Sequence, residues 1–389
     1  MKSSRDYTLK FSYNMRLLPI ISILSVLVLF TSCRKESNQP SETIPNQEVR
    51  GSSASYPNLI GNKEVFNEIK QDIDDSETAA SAFSNLITAK ANTALNETLP
   101  VASGLAFNTE ALISNSNAVY AMAIQWVFEE NNKEQFLEKI VSILSFYAKN
   151  YFPEGHTPRE THLLPMFEGY SIVRNSLTET EQKIIDGWLI DQAYYYKDDI
   201  NLTGNLAINN WNTIRINYLC YFAMITNHNL LKDHFLEELK NFIPVNIYPE
   251  GDGHDFENRD ALAYHAYNLK FYANILKAVL LYQDMDLYNH PDYSRIKKAV
   301  DFWEPYLIDT EHNVHLEFIN TQWEPDKQRS DYGKPYNPVS SLYVLEDLVS
   351  IDSRCFNNIK TINPEITIYN RSFDLWINRL ILLNHNNDR

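Results

Sequence analysis

Glycine is scarce in this 389-residue chain, with only 10, and cysteine is scarcer, with 3. So few glycines, and few alternating Val-rich runs, argue against a mainly β protein. Three cysteines exclude a disulfide framework, and Cys220 and Cys355 lack metal-ligand spacing. Positive charge is short as well: 34 Lys and Arg face 50 Asp and Glu, a net charge of −16. That balance lacks the basic footprint of a nucleic-acid binder. It also requires any polyanionic ligand to meet a local basic patch set against the overall field. Gly-rich phosphate loops and the GxSxG, HExxH and CxxC templates are missing.

What is present is apolar and aromatic: 44% hydrophobic residues and 24 Tyr supply a substantial core. Near the N-terminus, Arg16 precedes an apolar run from Leu17 to Phe30 that ends in Thr31-Ser32-Cys33. The run is too short to span a bilayer but fits a signal-peptide core. Small residues before a cysteine there resemble a bacterial lipoprotein signal, with Cys33 as the acylated residue. This predicts a signal over residues 1–32, export across the inner membrane, and a lipid anchor in the periplasm or at the outer membrane. Residues 33–57, polar and rich in Ser and Pro, read as a flexible tether. Residues 58–389 read as one domain. Cys220 and Cys355 are expected in its core.

From about Asn58 the pattern is helical. In residues 134–150 a 3.6-residue stripe runs through Leu137, Ile140, Val141, Leu144 and Ala148. A Thr178–Glu181 capping box opens the next run. Further helices are predicted over 211–226, 230–242, 260–283, 293–306, 338–350 and 372–385. Many helices joined by irregular loops predict an all-α fold of paired helices in a ring or solenoid. Residues 312–338 form the main non-helical segment, long enough to be functional.

Three constellations carry candidate chemistry. On the helix starting near Asp260, Leu262, Ala266, Leu269, Ala273, Leu276 and Leu280 make a core stripe. At roughly 100° per residue, Tyr264 lies about 200° from Leu262, and His265 only about 60° off the stripe. His265 therefore suits a core edge, while Tyr264 faces away. In the second, NNWNTIR at 209–215, either Asn209 or Asn210 can cap the helix. If Asn210 is free it can donate to a ligand, with Arg215 adding charge one turn on; position 214 shares the face of Asn210. The third is the cationic loop 323–338, with Lys327, Arg329 and Lys334 beside Tyr332 and Tyr336. The acidic run Glu250, Asp252, Asp255 and Glu257 offers paired carboxylates for glycoside hydrolysis or a Ca²⁺ site, although most such runs are solvated loops.

Taken in order, NNWNTIR at 209–215, YPEGDGHDFENRDALAYHAYNL at 248–269 and QRSDYGKPYNP at 328–338 resemble the alginate lyase family of polysaccharide lyases. Weaker likeness extends over 157–189. The resemblance implies an (α/α) toroid, or incomplete α/α barrel, and β-elimination on a uronic-acid polysaccharide. In that reaction the C5 proton is removed and the 4-O-linked sugar expelled. The carboxylate must be neutralised and the enolate-like intermediate stabilised, and a tyrosine can act as acid or base where cations stabilise its charged form. By position, Tyr264 is then the acid/base, Asn210 neutralises the carboxylate, and Arg215 and Arg259 bind it. His254, His265, Trp211, Arg329 and Lys334 are implied in substrate binding. The implied partner is an anionic polysaccharide; no metal, other cofactor or nucleic acid is implied.

One departure bears on activity. The family's Asn-Trp motif usually carries a histidine, whereas Thr213 and Ile214 stand here and no histidine falls within 209–215. The alternatives are a weak or inactive glycan-binding homologue and, further off, an α/α-barrel hydrolase using carboxylates near 250–257.

Overall fold

Inner and outer helices differ in this chain because their sequences do. The structure, a computed structural model, describes residues 49–97 and 108–387. Its sixteen described α-helices are α1 Lys63–Asp75, α2 Glu77–Phe83, α3 Ala89–Asn96, α4 Thr109–Phe128, α5 Lys133–Asn150, α6 Thr157–Glu160, α7 Leu164–Val173 and α8 Glu179–Tyr194. They continue as α9 Asn210–Ile225, α10 Asn229–Asn246, α11 His254–Arg259, α12 Leu262–Gln283, α13 Ser294–Ile308, α14 Leu342–Leu348, α15 Ser353–Ile362 and α16 Phe373–Asn387. In α9 every residue from Thr213 to Ile225 is buried, as a helix apolar all round must be. Helix α5 instead buries one stripe, Phe136, Leu137, Ile140, Val141 and Leu144 among it, and leaves the other face wet.

The buried helices form the inner ring. Helix α4 packs on α7, α9 on α12, α12 on α14, and α14 on α16. Phe167 of α7 meets Tyr218 and Phe222 of α9 edge-on, and Tyr120 of α4 donates to Asp374 of α16. Around them α5, α8, α10, α13 and α15 make the outer layer, each packed on an inner partner or a neighbour. This is the all-α (α/α) toroid expected. Cys220 and Cys355 are buried and unpaired.

Local signals set several helix ends. The Thr178–Glu181 capping box forms, Thr178 Oγ1 accepting from Glu181 N at 3.2 Å and Glu181 returning the bond at 3.0 Å. The helix predicted from residue 260 instead starts at Leu262, because Asp260 takes a left-handed conformation (φ 50°) that ends α11.

The N-terminal signal, Cys33 and most of the expected tether lie outside the described residues. The tether does not reach residue 57. Gly51 N donates to Ser176 O at 2.8 Å and Ser55 N to Ile172 O at 2.7 Å. Arg50 forms ion pairs with Glu134 at 2.8 Å and with Glu181 at 2.5 Å. Composition alone cannot register these partners, which lie 84 or more residues away along the chain. Among the described residues no helix is long and apolar enough to cross a membrane.

The α4–α7 contact is tight at Gly169, where an added Cβ would stand 2.9 Å from both Val119 O and Val119 Cγ1. Gly169→Ala should therefore push two inner helices apart and cost about 1–3 kcal/mol. A thermal midpoint lowered by a few degrees checks this; an unchanged midpoint refutes it.

Candidate active site

Two short polar devices build the site from below. Asn209, not Asn210, caps α9: its Oδ1 accepts from Trp211 N at 2.9 Å. The Asn210 backbone N–H goes to Asp255 Oδ2 on α11 at 2.8 Å. The Asn210 side chain is only 4% exposed, and among the described residues it has no hydrogen-bond partner. A buried amide left open in this way is placed to meet a ligand. Asp255, one of the four acidic residues of the 250–257 run, is buried, and burial pushes its carboxyl up to about 7. Glu250 and Glu257 are exposed and Asp252 is half-buried, and partial burial together with the adjacent Asp252 carboxylate raises the Glu257 pKa.

The second device is the loop 312–338, which lies against the α11–α12 corner. Glu317 caps α12, accepting from Leu262 N at 2.9 Å and Ala263 N at 3.3 Å. Phe318 N donates to Asp260 O, and Gln322 N donates to Asn258 O at 3.0 Å. Burial raises the Glu317 carboxyl to about 7 even though a helix N-terminus favours the anion.

These contacts bring Arg259, Tyr264 and the loop together. The Arg259 guanidinium forms a two-pronged ion pair with Asp326. Asp326 is fully buried and also accepts from Thr321 Oγ1 at 2.8 Å. Arg259 Nη2 donates to the Tyr264 hydroxyl at 3.0 Å. Its guanidinium carbon stands 4.0 Å from the Tyr264 ring centre and 4.4 Å from that of Trp323. Arg329, paired with Asp331 at 2.9 Å, faces the Tyr264 ring at 5.7 Å and Phe318 at 4.6 Å. Tyr264 is thus a half-buried phenol flanked by two cations. Trp323 is 52% exposed, an open aromatic face beside them. Its place was missed because an irregular loop has no periodicity to read; the only signal was an aromatic residue beside a cationic run.

Other candidates lie elsewhere. Arg215 is 8% exposed at its side chain and committed to Glu238 of α10, to Tyr196 O at 2.9 Å and to Asn212 Oδ1 at 2.6 Å. It clamps three segments and does not reach toward Asn210. His265 is buried and hydrogen-bonds Ala299 O at 3.0 Å, burial lowering its pKa to about 4, so it is a neutral core residue. Lys334 is exposed on the loop. Trp211 packs on His156, ring centres 4.8 Å apart. His254 is closer to the chemistry: it is buried on α11, with Asn258 Nδ2 at 2.7 Å from Nε2 and Tyr248 OH at 3.1 Å from Nδ1, and burial lowers its pKa. Ile214 is fully buried. Thr213 hydrogen-bonds Asn268 at 2.6 Å, and Asn268 in turn donates to Asn246 at 2.7 Å, a polar chain that locks α9 to α12 and α10. Among the described residues no cluster of His, Cys, Asp or Glu is placed to hold a metal ion.

Arg215→Ala should act on stability rather than chemistry. Leaving Glu238 and the Tyr196 carbonyl without their partner costs about 1–3 kcal/mol. A lowered thermal midpoint with kcat near that of the unmodified chain, measured well below that midpoint, is the expected pair of results.

The comparisons with known proteins bear on the family and the fold. A search of curated proteins finds no match. Among solved structures, an alginate lyase from Bacteroides ovatus is similar, with a TM-score of 0.61 and 16% sequence identity; the match covers 83% of this chain and 99% of that one. At that identity the likeness speaks for the toroid fold alone. A family model described as alginate lyase matches residues 69–313. That is well over half of the sequence, and the chain belongs to the alginate lyase family of polysaccharide lyases.

Proposed function

We infer that this lyase cleaves alginate or a related polyuronate, with Tyr264 moving the proton. The carrying observation is the Arg259 guanidinium, held by buried Asp326, at 3.0 Å from the Tyr264 hydroxyl. In β-elimination a base takes the C5 proton, and the C5–H electron pair passes into the carboxylate as an enolate-like intermediate. That pair forms the C4=C5 double bond as the C4–O bond breaks, and the oxygen that leaves with the C4–O pair takes up a proton. Each step moves negative charge onto the uronate carboxylate or through the transferring group. Fixed donors at that point stabilise the transition state more than the ground state. Arg259 serves the phenolic oxygen, and the open Asn210 amide serves the carboxylate. Trp323 offers a sugar-stacking face, and Arg329 adds positive charge against the acidic background.

Against a hydrolase, Asp255 is spent on the Asn210 backbone, and Glu250 and Glu257 are exposed. A non-catalytic glycan binder would bind oligosaccharide without product, and one assay separates it. Incubation with a panel of polyuronates should raise ultraviolet absorbance as unsaturated ends form. Tyr264→Phe should lower kcat by about 10²–10⁴-fold with the thermal midpoint unchanged. A Tyr264→Phe enzyme of full activity would sink the tyrosine assignment, and a flat trace on every polymer would sink the elimination itself.

The sequence also supports export and lipidation at Cys33, motivated by the apolar run that ends in Thr31-Ser32-Cys33. In a bacterial host, Cys33→Ala should abolish labelling by radioactive palmitate and move the protein from the membrane to the soluble fraction. Retention on the membrane would refute the anchor.

A further inference from the structure

Helix α12 carries more than Tyr264 on its inner face. One turn further, Tyr267 begins a row that continues through Lys270, Phe271 and Asn274. These four line a cavity of about 420 Å³ inside the ring, closed by residues of α4, α7, α14 and α16 and by the segment that holds Thr161 and His162.

The lining is divided by chemistry. On one side stand a cation and an aromatic. Lys270 Nζ lies 3.9 Å from Asp347, too far for a hydrogen bond, and 5.1 Å from the ring centre of Tyr343, which is 37% exposed. The lysine is therefore only loosely committed. His162 stands near it, its pKa lowered by burial and by the charges of Arg159 and Lys270. On the floor are acceptors: Glu168, which takes a bond from Tyr221 OH at 2.9 Å, and Asp374, which takes one from Tyr120. Asn274 faces the same space. It is 4% exposed, and among the described residues its amide has no hydrogen-bond partner. Buried amides are nearly always satisfied, so an open one on a cavity wall points to a polar occupant.

We propose that this cavity is a sugar subsite, in which Lys270 binds the carboxylate of a uronate ring next to the ring that reacts at Tyr264. The floor carboxylates accept from the ring hydroxyls, which are donors, and the Asn274 amide completes the set. A uronate offers this combination, one anionic group and several hydroxyls. A phosphate does not, because it brings no row of hydroxyl donors for Glu168 and Asp374. Apolar occupants are excluded by the unpaired amide. The subsite rests on the polyuronate reading above and extends it by naming the contact that selects charge at a second ring.

The test titrates a uronate trisaccharide and its methyl-esterified, neutral counterpart into the Tyr264→Phe protein, where no turnover interferes. Lys270→Gln in that background should weaken the uronate trisaccharide about tenfold or more, as loss of a charge-assisted hydrogen bond does. The esterified trisaccharide should change less than about twofold, because no charge is lost. Asn274→Ala should weaken both, and it serves as the second variant should Lys270→Gln fail to fold. Unchanged binding of the uronate trisaccharide in either variant overturns the subsite, as does absence of any binding. The two readings fail separately. Unsaturated product formed with an unchanged KM in the Lys270→Gln enzyme sinks the subsite and leaves elimination standing. Lys270-dependent binding, with no product from any polyuronate, sinks elimination and leaves the subsite.

Discussion

The site depends on one buried carboxylate holding one guanidinium. Asp326 has no exposed surface, and among the described residues its only charged partner in hydrogen-bonding contact is Arg259. A carboxylate taken so far from water must be paired, because an unpaired buried charge is among the costliest defects a fold can carry. The pairing fixes the guanidinium plane, and from that plane follow the bond to the Tyr264 hydroxyl and the contacts with the Tyr264 and Trp323 rings. Thr321 steadies Asp326 from the loop itself. The loop is thereby tied through Asp326 and Glu317 to the helix corner it covers.

The loop can take that place because the corner beneath it is unusual. Asp260 turns left-handed between α11 and α12, exposing its carbonyl and the first N–H groups of α12. Phe318 and Glu317 occupy those groups, so the corner and the loop satisfy each other. On the far side, Asp255 ties the start of α9 to α11. One six-residue helix therefore links the Asn210 amide to Arg259. The ring around it supplies depth: the face of α12 that carries Tyr264 at its start carries Tyr267, Lys270 and Asn274 along the cavity wall.

Features set by neighbours in the chain were legible in the sequence. The capping box at Thr178–Glu181 needs only residues three apart, and it forms. The 3.6-residue period put His265 toward the core and Tyr264 away from it, and the burial of His265 against Ala299 agrees. Many apolar-striped segments gave an all-α ring or solenoid, and the family resemblance implied the ring. Less local features were misread. Arg215 was placed with Asn210 by helix spacing, but its partners, Glu238 and the Tyr196 carbonyl, lie on other elements. Residues 50–57 read as tether because polar composition says nothing of distant acceptors such as Ser176 O. Trp323 sits in a segment with no period to project.

The sequence by itself determined the helices, their inner or outer character, and the kind of side chain at each candidate position, since these depend on spacing and hydrophobicity along the chain. Only the tertiary structure decided which of two adjacent asparagines caps α9 and which is left open. It also tied Arg259 to Asp326 beside Tyr264 and made Arg215 a clamp. The reason is the same in each case. A charged or amide side chain takes its role from the partner it finds when buried, and here that partner comes from another segment: Asp255 for the Asn210 backbone, Asp326 for Arg259 and Glu238 for Arg215.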